Sequence, residues 1–147
     1  MLLGLFFDKE DNIILSPSLL DPVGFYRASK RYIKLEHGWS ESELAESIIK
    51  GLSICEENNL EDAYGENFWT AATGIKGFAS FSKKHRYVAI ELIKEKGCYF
   101  IHAYKRCKDG SYGIDEEEVE IRSKSYSGVP KKETIVGQVM EALKITS

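Results

Sequence analysis

Three histidines, His37, His85 and His102, and three cysteines, Cys55, Cys98 and Cys107, are the residues of this 147-residue chain best suited to chemistry. The histidines have no HExxH or paired spacing, and no Cys/His cluster accompanies them, so the expectation is no metal and no cofactor. Nucleophile-elbow, Walker and GxGxxG patterns are absent from the sequence too. His102 lies in a segment that alternates like a strand, and a hairpin register places Glu117 opposite it. A His–carboxylate pair can serve as a general base, but in a sheet it is more often a satisfied half-buried pair. The expectation is therefore no catalytic residue and no enzymatic activity.

Two further stretches invite a binding role. Gly74–Ile75–Lys76–Gly77 has the GxxG form that clamps a nucleic-acid backbone in KH domains, and Lys83, Lys84, His85 and Arg86 follow as a basic cluster. Together they define the alternative of a small RNA-binding module. Against it, the apolar stretch expected before a KH loop is missing, and a solvated turn entering a strand is the favoured reading of the cluster. The second stretch, Asp115–Glu116–Glu117–Glu118–Val119–Glu120, is five-sixths acidic in a chain whose formal net charge is only −3.

The elements that must hold these residues belong to an ordinary globular chain. It is 43% hydrophobic, 12% aromatic and 29% charged, with three prolines. The length fits one domain, 1–147, able to bury roughly 68–70% of its unfolded surface. A pI near 5.7 weighs against a nucleic-acid partner, and free thiols in an odd number fit a reducing compartment better than a disulfide framework. The apolar run Leu2–Phe7 has no basic flank and is too short for a signal or a membrane span. A cytoplasmic protein with no membrane partner is expected.

Leu2–Phe7 and Asn12–Leu15 read as a hairpin turned at Asp8–Asp11, with Pro17 and Pro22 bracketing an irregular connection. Arg31–Leu35 is a candidate strand. Ser40 and Glu43 have capping-box spacing, and Leu44, Ile48, Leu52 and Cys55 form an apolar stripe, so a helix starts there. It ends on Glu56 and Glu57, and Glu56–Asp62 forms a second acidic segment. Leu60–Phe81 reads as a long aromatic-rich connection with one short helix. Tyr87–Ile93 and Cys98–Tyr104 form strands about a turn at Gly97. A helix over Pro130–Leu143 closes the chain. The sum is an α+β fold, an antiparallel sheet built from hairpins with two main helices packed on it.

Asp109–Gly110 is the dipeptide of a type I′ hairpin turn. Extended from it, the register pairs residues whose numbers sum to 219, so Cys98 meets Ile121, Phe100 meets Val119 and His102 meets Glu117. Glu116, Glu118 and Glu120 would then share one strand face against Tyr99, Ile101 and Ala103, with Val119 and Ile121 turned to the core. Such a field would draw in a basic protein. It would equally serve as a charged edge strand that prevents aggregation. Physics alone leaves both readings open.

The stretches "LLGLFF…NIILSP", the capped helix ending "GLSI", "GIKGFASFSKKHRYVAIEL" and the final "VMEALKI" together resemble the CdiI immunity proteins of contact-dependent growth inhibition, over nearly the whole chain. The resemblance implies a cytoplasmic protein that binds the C-terminal toxin domain of a CdiA effector, commonly a nuclease with a basic surface. It supplies no contact residue. Asp115, Glu116, Glu117, Glu118 and Glu120 are expected to meet the toxin on grounds of charge.

Overall fold

The computed structural model describes residues 1–64 and 67–146. The expected Leu60–Phe81 connection and the 1–147 domain span thus include positions outside the described residues. Strand β1 (Leu2–Phe7) turns back into β2 (Ile13–Leu20) in an antiparallel register that pairs Leu5 with Leu15. The turn is organised by Asp8, whose carboxylate accepts the N–H groups of Glu10 and Asn12, both at 2.9 Å. β2 runs past the expected Leu15, through Pro17, to Leu20. On its outer side it pairs first with β4 (Ile33–Leu35) and then with β3 (Tyr26–Ala28), and Pro17 falls at the switch between them.

Helix α1 (Glu41–Glu57) starts as its sequence dictates. The Ser40 hydroxyl accepts the Glu43 N–H at 3.1 Å, and the Glu43 carboxylate accepts the Ser40 N–H. Its end is closed by Asn58 in the left-handed conformation, φ 47°, whose side-chain amide bonds both the N–H and the C=O of Leu20. A 3-10 turn at Leu60–Asp62 and two six-residue helices, α2 (Phe68–Thr73) and α3 (Phe78–Lys83), follow where one short helix was expected.

The long central hairpin is β5 (Arg86–Ile93) and β6 (Cys98–Ala103), and Gly97 takes the left-handed φ, 62°, that its turn requires. A two-residue hairpin, β7 (Lys105–Arg106) and β8 (Tyr112–Gly113), stands apart from the main sheet. After it come a 3-10 turn (Glu116–Glu118), one helical turn α4 (Val119–Arg122), strand β9 (Ser123–Ser127) and helix α5 (Lys132–Lys144). The sheet order is β3-β2-β1-β5-β6-β9 with β4 also on β2, seven strands joined only by antiparallel pairs. The α+β class, with its antiparallel sheet and two main helices, is as expected.

α1 and α5 lie together on one face. Their stripes, with Leu44, Ile48, Ile135 and Val139 fully buried, pack on Leu3, Leu5, Val88, Ile90 and Ile101. On the other face α2 and α3 press Phe68 and Phe81 onto Phe6 and Ile14. Alternation along β1 makes this possible, since Leu5 and Phe7 point to the helices and Phe6 points away.

The expected register of the third strand is overturned. β6 pairs with Ser123–Ser127, Cys98 with Ser127 and His102 with Ser123, rather than with Glu117–Ile121. Tyr99, Ile101 and Ala103 are therefore buried beneath the helices instead of facing carboxylates. Consecutive glutamates favour helix over strand. Acidic residues in a first turn also suit the helix dipole. A turn does form at Asp109–Gly110, but it is a three-residue loop, 108–110, with Gly110 and not Asp109 at positive φ, rather than the expected two-residue type I′ turn. Its pairs are Arg106–Tyr112 and Lys105–Gly113, one residue off the expected register.

Candidate functional site

The acidic run forms a short helical shoulder beyond the sheet edge, and its carboxylates fall into two groups. Asp115 and Glu118 both bind Lys105, with the Glu118 contact at 3.0 Å. The second oxygen of Glu118 accepts the Arg122 Nε–H at 2.7 Å, an i,i+4 pair. Arg122 is only 11% exposed, and its Nη1 donates to the backbone carbonyls of Ala103 at 3.3 Å and Ile145 at 2.6 Å. A single guanidinium thus ties α4 to β6 and to the end of α5. The Arg122 and Lys105 hydrogen bonds hold the Glu118 carboxyl down at about 2, against an ordinary 4.5, and the same carboxylates raise Lys105.

Glu116, Glu117 and Glu120 are exposed and have no ion-pair partner among the described residues. Among them Val119 and Ile121 are 44% and 60% exposed, where the strand register had placed them in the core. The expected five-residue site thus divides: Asp115 and Glu118 brace the shoulder, and Glu116, Glu117 and Glu120 carry uncompensated charge beside two aliphatic side chains. The bracing cations were legible as residues but not as partners, because Lys105 and Arg122 reach the run only once it leaves the sheet.

His102 pairs with a carboxylate, but with Glu91 rather than the expected Glu117. Its Nε2 lies 2.9 Å from the Glu91 carboxylate and its Nδ1 lies 2.8 Å from the Ser123 hydroxyl. Glu91, His102 and Ser123 come from three neighbouring strands and point to the sheet face opposite α1 and α5, beside Phe100 and Tyr104. Both ring nitrogens are therefore satisfied within the fold.

The Gly74–Gly77 loop joins α2 to α3. Gly74 closes α2 at φ 79°, and Gly77 opens α3. Its carbonyls are taken up internally: Trp69 Nε1–H donates to Lys76 at 3.2 Å and the Thr70 hydroxyl to Ile75 at 2.8 Å. With six residues in each flanking helix, it is a local aromatic hairpin; Trp69 and Phe78 pack edge to face at 4.8 Å.

The second acidic segment is largely neutralised. Glu56 binds Lys94, and Arg31 binds Glu57 at 2.7 Å and Asp62 at 3.9 Å. Sequence reasoning missed its neighbour, the β2–β3 turn, where Val23 is 76% and Phe25 69% exposed. Asp21 stiffens that turn by accepting the N–H groups of Val23 and Phe25, which lowers its pKa.

Cys55, Cys98 and Cys107 are free thiols, and burial pushes the Cys55 thiol up. Among the described residues, no group of three His, Cys, Asp or Glu side chains could hold a metal ion. No described helix is long and apolar enough to cross a membrane.

These elements define an α+β protein whose seven-stranded antiparallel sheet carries two long helices on one face and an aromatic helical hairpin on the other. No family model matches the chain, and no curated protein matches it. Solved structures share its fold, two of them over nearly the whole chain. A Neisseria meningitidis protein of unknown function is 14% identical at a TM-score of 0.66, covering 99% of this chain and 94% of that one. A chain of the CdiA-CT/CdiI toxin and immunity complex from Yersinia pseudotuberculosis is 12% identical at a TM-score of 0.61, covering 99% and 97%. At these identities the likeness is one of fold.

Proposed function

We propose that this chain is a cytoplasmic immunity protein. It binds and neutralises the C-terminal toxin domain of a CdiA-type effector, a basic domain of the nuclease kind, and it acts by occupation rather than catalysis. The observation that carries this reading is the braced shoulder. Glu116, Glu117 and Glu120 stand exposed without cationic partners among the described residues, while Asp115 and Glu118 are spent on holding the backbone that presents them. Unopposed like charges on a pre-ordered turn repel one another until a basic surface arrives. Val119 and Ile121 supply apolar area for the centre of such a contact, where affinity concentrates. The whole-chain fold likeness to a chain of a toxin and immunity complex supports the class. The Glu91–His102–Ser123 chain is read here as a strand-to-strand tie.

The test is a Glu116→Gln, Glu117→Gln, Glu120→Gln variant, with melting checked first. Exposed charges act mainly on encounter. Association with the toxin domain should slow by about tenfold at low salt, and its salt dependence should flatten. An unchanged association rate would move the contact elsewhere, with the Val23–Phe25 turn as the next surface to probe.

A further inference from the structure

The formal charge of −3 conceals a segregation of charge. Beside the acidic shoulder, a cleft opens between the end of α3, the start of β5 and the β7–β8 hairpin, lined by Lys83, His85, Arg86, Tyr104 and Arg106. Its cations come from places twenty residues apart in sequence. The β5–β6 ladder joins them, pairing Val88 with Ala103, and the Tyr104 N–H continues it to the Tyr87 carbonyl at 3.1 Å.

These cations are unspent. Arg106 is held by neutral acceptors, its Nε on the Ser82 hydroxyl at 2.9 Å and its Nη2 on the Ala79 carbonyl at 3.1 Å. It has no carboxylate within bridging distance among the described residues. Asp109 feels the Arg106 charge, but its carboxylate accepts the N–H and hydroxyl of Ser111. Arg86 reaches only the Leu143 carbonyl, at 3.5 Å, and Lys83 is exposed with no ion pair among the described residues. His85 is stacked on Phe81 at 4.0 Å and engages the Phe81 carbonyl through Nδ1, which leaves Nε2 without a protein partner among the described residues. Lys105 and Arg122, at the cleft margin, are already neutralised by Asp115 and Glu118.

The floor is aromatic. The Tyr87 ring stacks on Tyr104 at 4.8 Å and meets Tyr112 at 4.9 Å, and the Tyr112 hydroxyl is anchored by donating to the His85 carbonyl at 2.8 Å. Arg86, Arg106 and Lys83 line the same cleft as Tyr87, Tyr104 and Tyr112, a composition suited to an oxyanion attached to a flat ring. We propose that this cleft binds a phosphate ester carrying a base, either a stretch of single-stranded RNA or a free nucleotide. A mean charge cannot reveal such a site, because the acidic shoulder cancels it in the sum. The inference does not rest on the toxin-binding reading and is tested on the protein alone.

The experiment is fluorescence anisotropy of a labelled oligouridylate 12-mer with the full chain at 50 mM salt. ATP, inorganic phosphate and poly-glutamate serve as competitors. Lys83→Gln/Arg86→Gln removes two exposed charges without touching the core, and Arg106→Gln is the second variant, each checked by melting. Tight oligonucleotide binding that ATP does not displace identifies RNA, and displacement at matched phosphate concentration identifies a nucleotide. In the RNA case the double variant should bind at least tenfold more weakly, with a log–log salt slope shallower by about 1.4 for two lost contacts. In the nucleotide case it should lose ATP affinity by a similar factor. Absence of binding to both, equal competition by poly-glutamate, or an unchanged double variant would overturn the proposal.

Discussion

Lys105 and Arg122 grip Glu118 from two sides, and that grip makes a local acidic run into a fixed surface. The Glu118 carboxyl sits at about 2 in the fold, against an ordinary 4.5. As pH falls from about 4.5 towards 2, the unfolded chain takes up this proton before the folded one does, so the equilibrium moves towards unfolding. The contribution is complete above pH 4.5 and disappears as pH falls through the folded value. Wild type should therefore melt above Glu118→Gln at pH 6, and the gap should close between pH 4.5 and 2. Glu117→Gln should leave the melting temperature at pH 6 unchanged. Equal behaviour of the two variants would remove the division between bracing and free carboxylates. The sequence marked this run as unusual and marked His102 as paired with a carboxylate. It could not assign the partners. Reading Tyr99, Ile101 and Ala103 as inward would have turned His102 outward beside Glu91, since Val88, Ile90 and Leu92 already turned Glu91 that way.

At the scale of elements, the Asp109–Gly110 dipeptide marks the place of a turn but neither its type nor its register, since the loop holds three residues instead of two. Gly110 has φ 91°, and a Cβ there would lie 2.9 Å from the Ala79 Cα, so the turn needs glycine twice over. The hairpin it closes is two residues deep because the chain then turns helical, with Asp115 and Glu118 held by Lys105 and Arg122. Gly110→Ala should cost about 1–3 kcal/mol through strain and overpacking against α3, measured by urea unfolding. A neutral result would mean that the β7–β8 hairpin is not seated on α3. The capped start of α1, the β1–β2 and β5–β6 hairpins and the stripe of α5 were legible because each is specified within a few residues. The split of α2 from α3 and the switch of β2 between β4 and β3 were not, because long-range packing of Phe68, Phe81 and Pro17 decides them.

Over the whole molecule, one sheet separates the α1–α5 core from the aromatic α2–α3 layer, and an acidic shoulder adjoins a basic cleft at one end of it. A nearly neutral protein with charge sorted in this way has directional fields, which favour oriented encounter over general adhesion. That organisation underlies the proposal of binding without catalysis. The measurement that tests it most directly is isothermal titration of the purified chain with the CdiA-type toxin domain proposed as its partner, paired with growth of cells expressing that toxin. The account predicts a stoichiometric complex and rescued growth, both retained in His102→Ala. No complex with a folded toxin domain, or rescue without one, would contradict it.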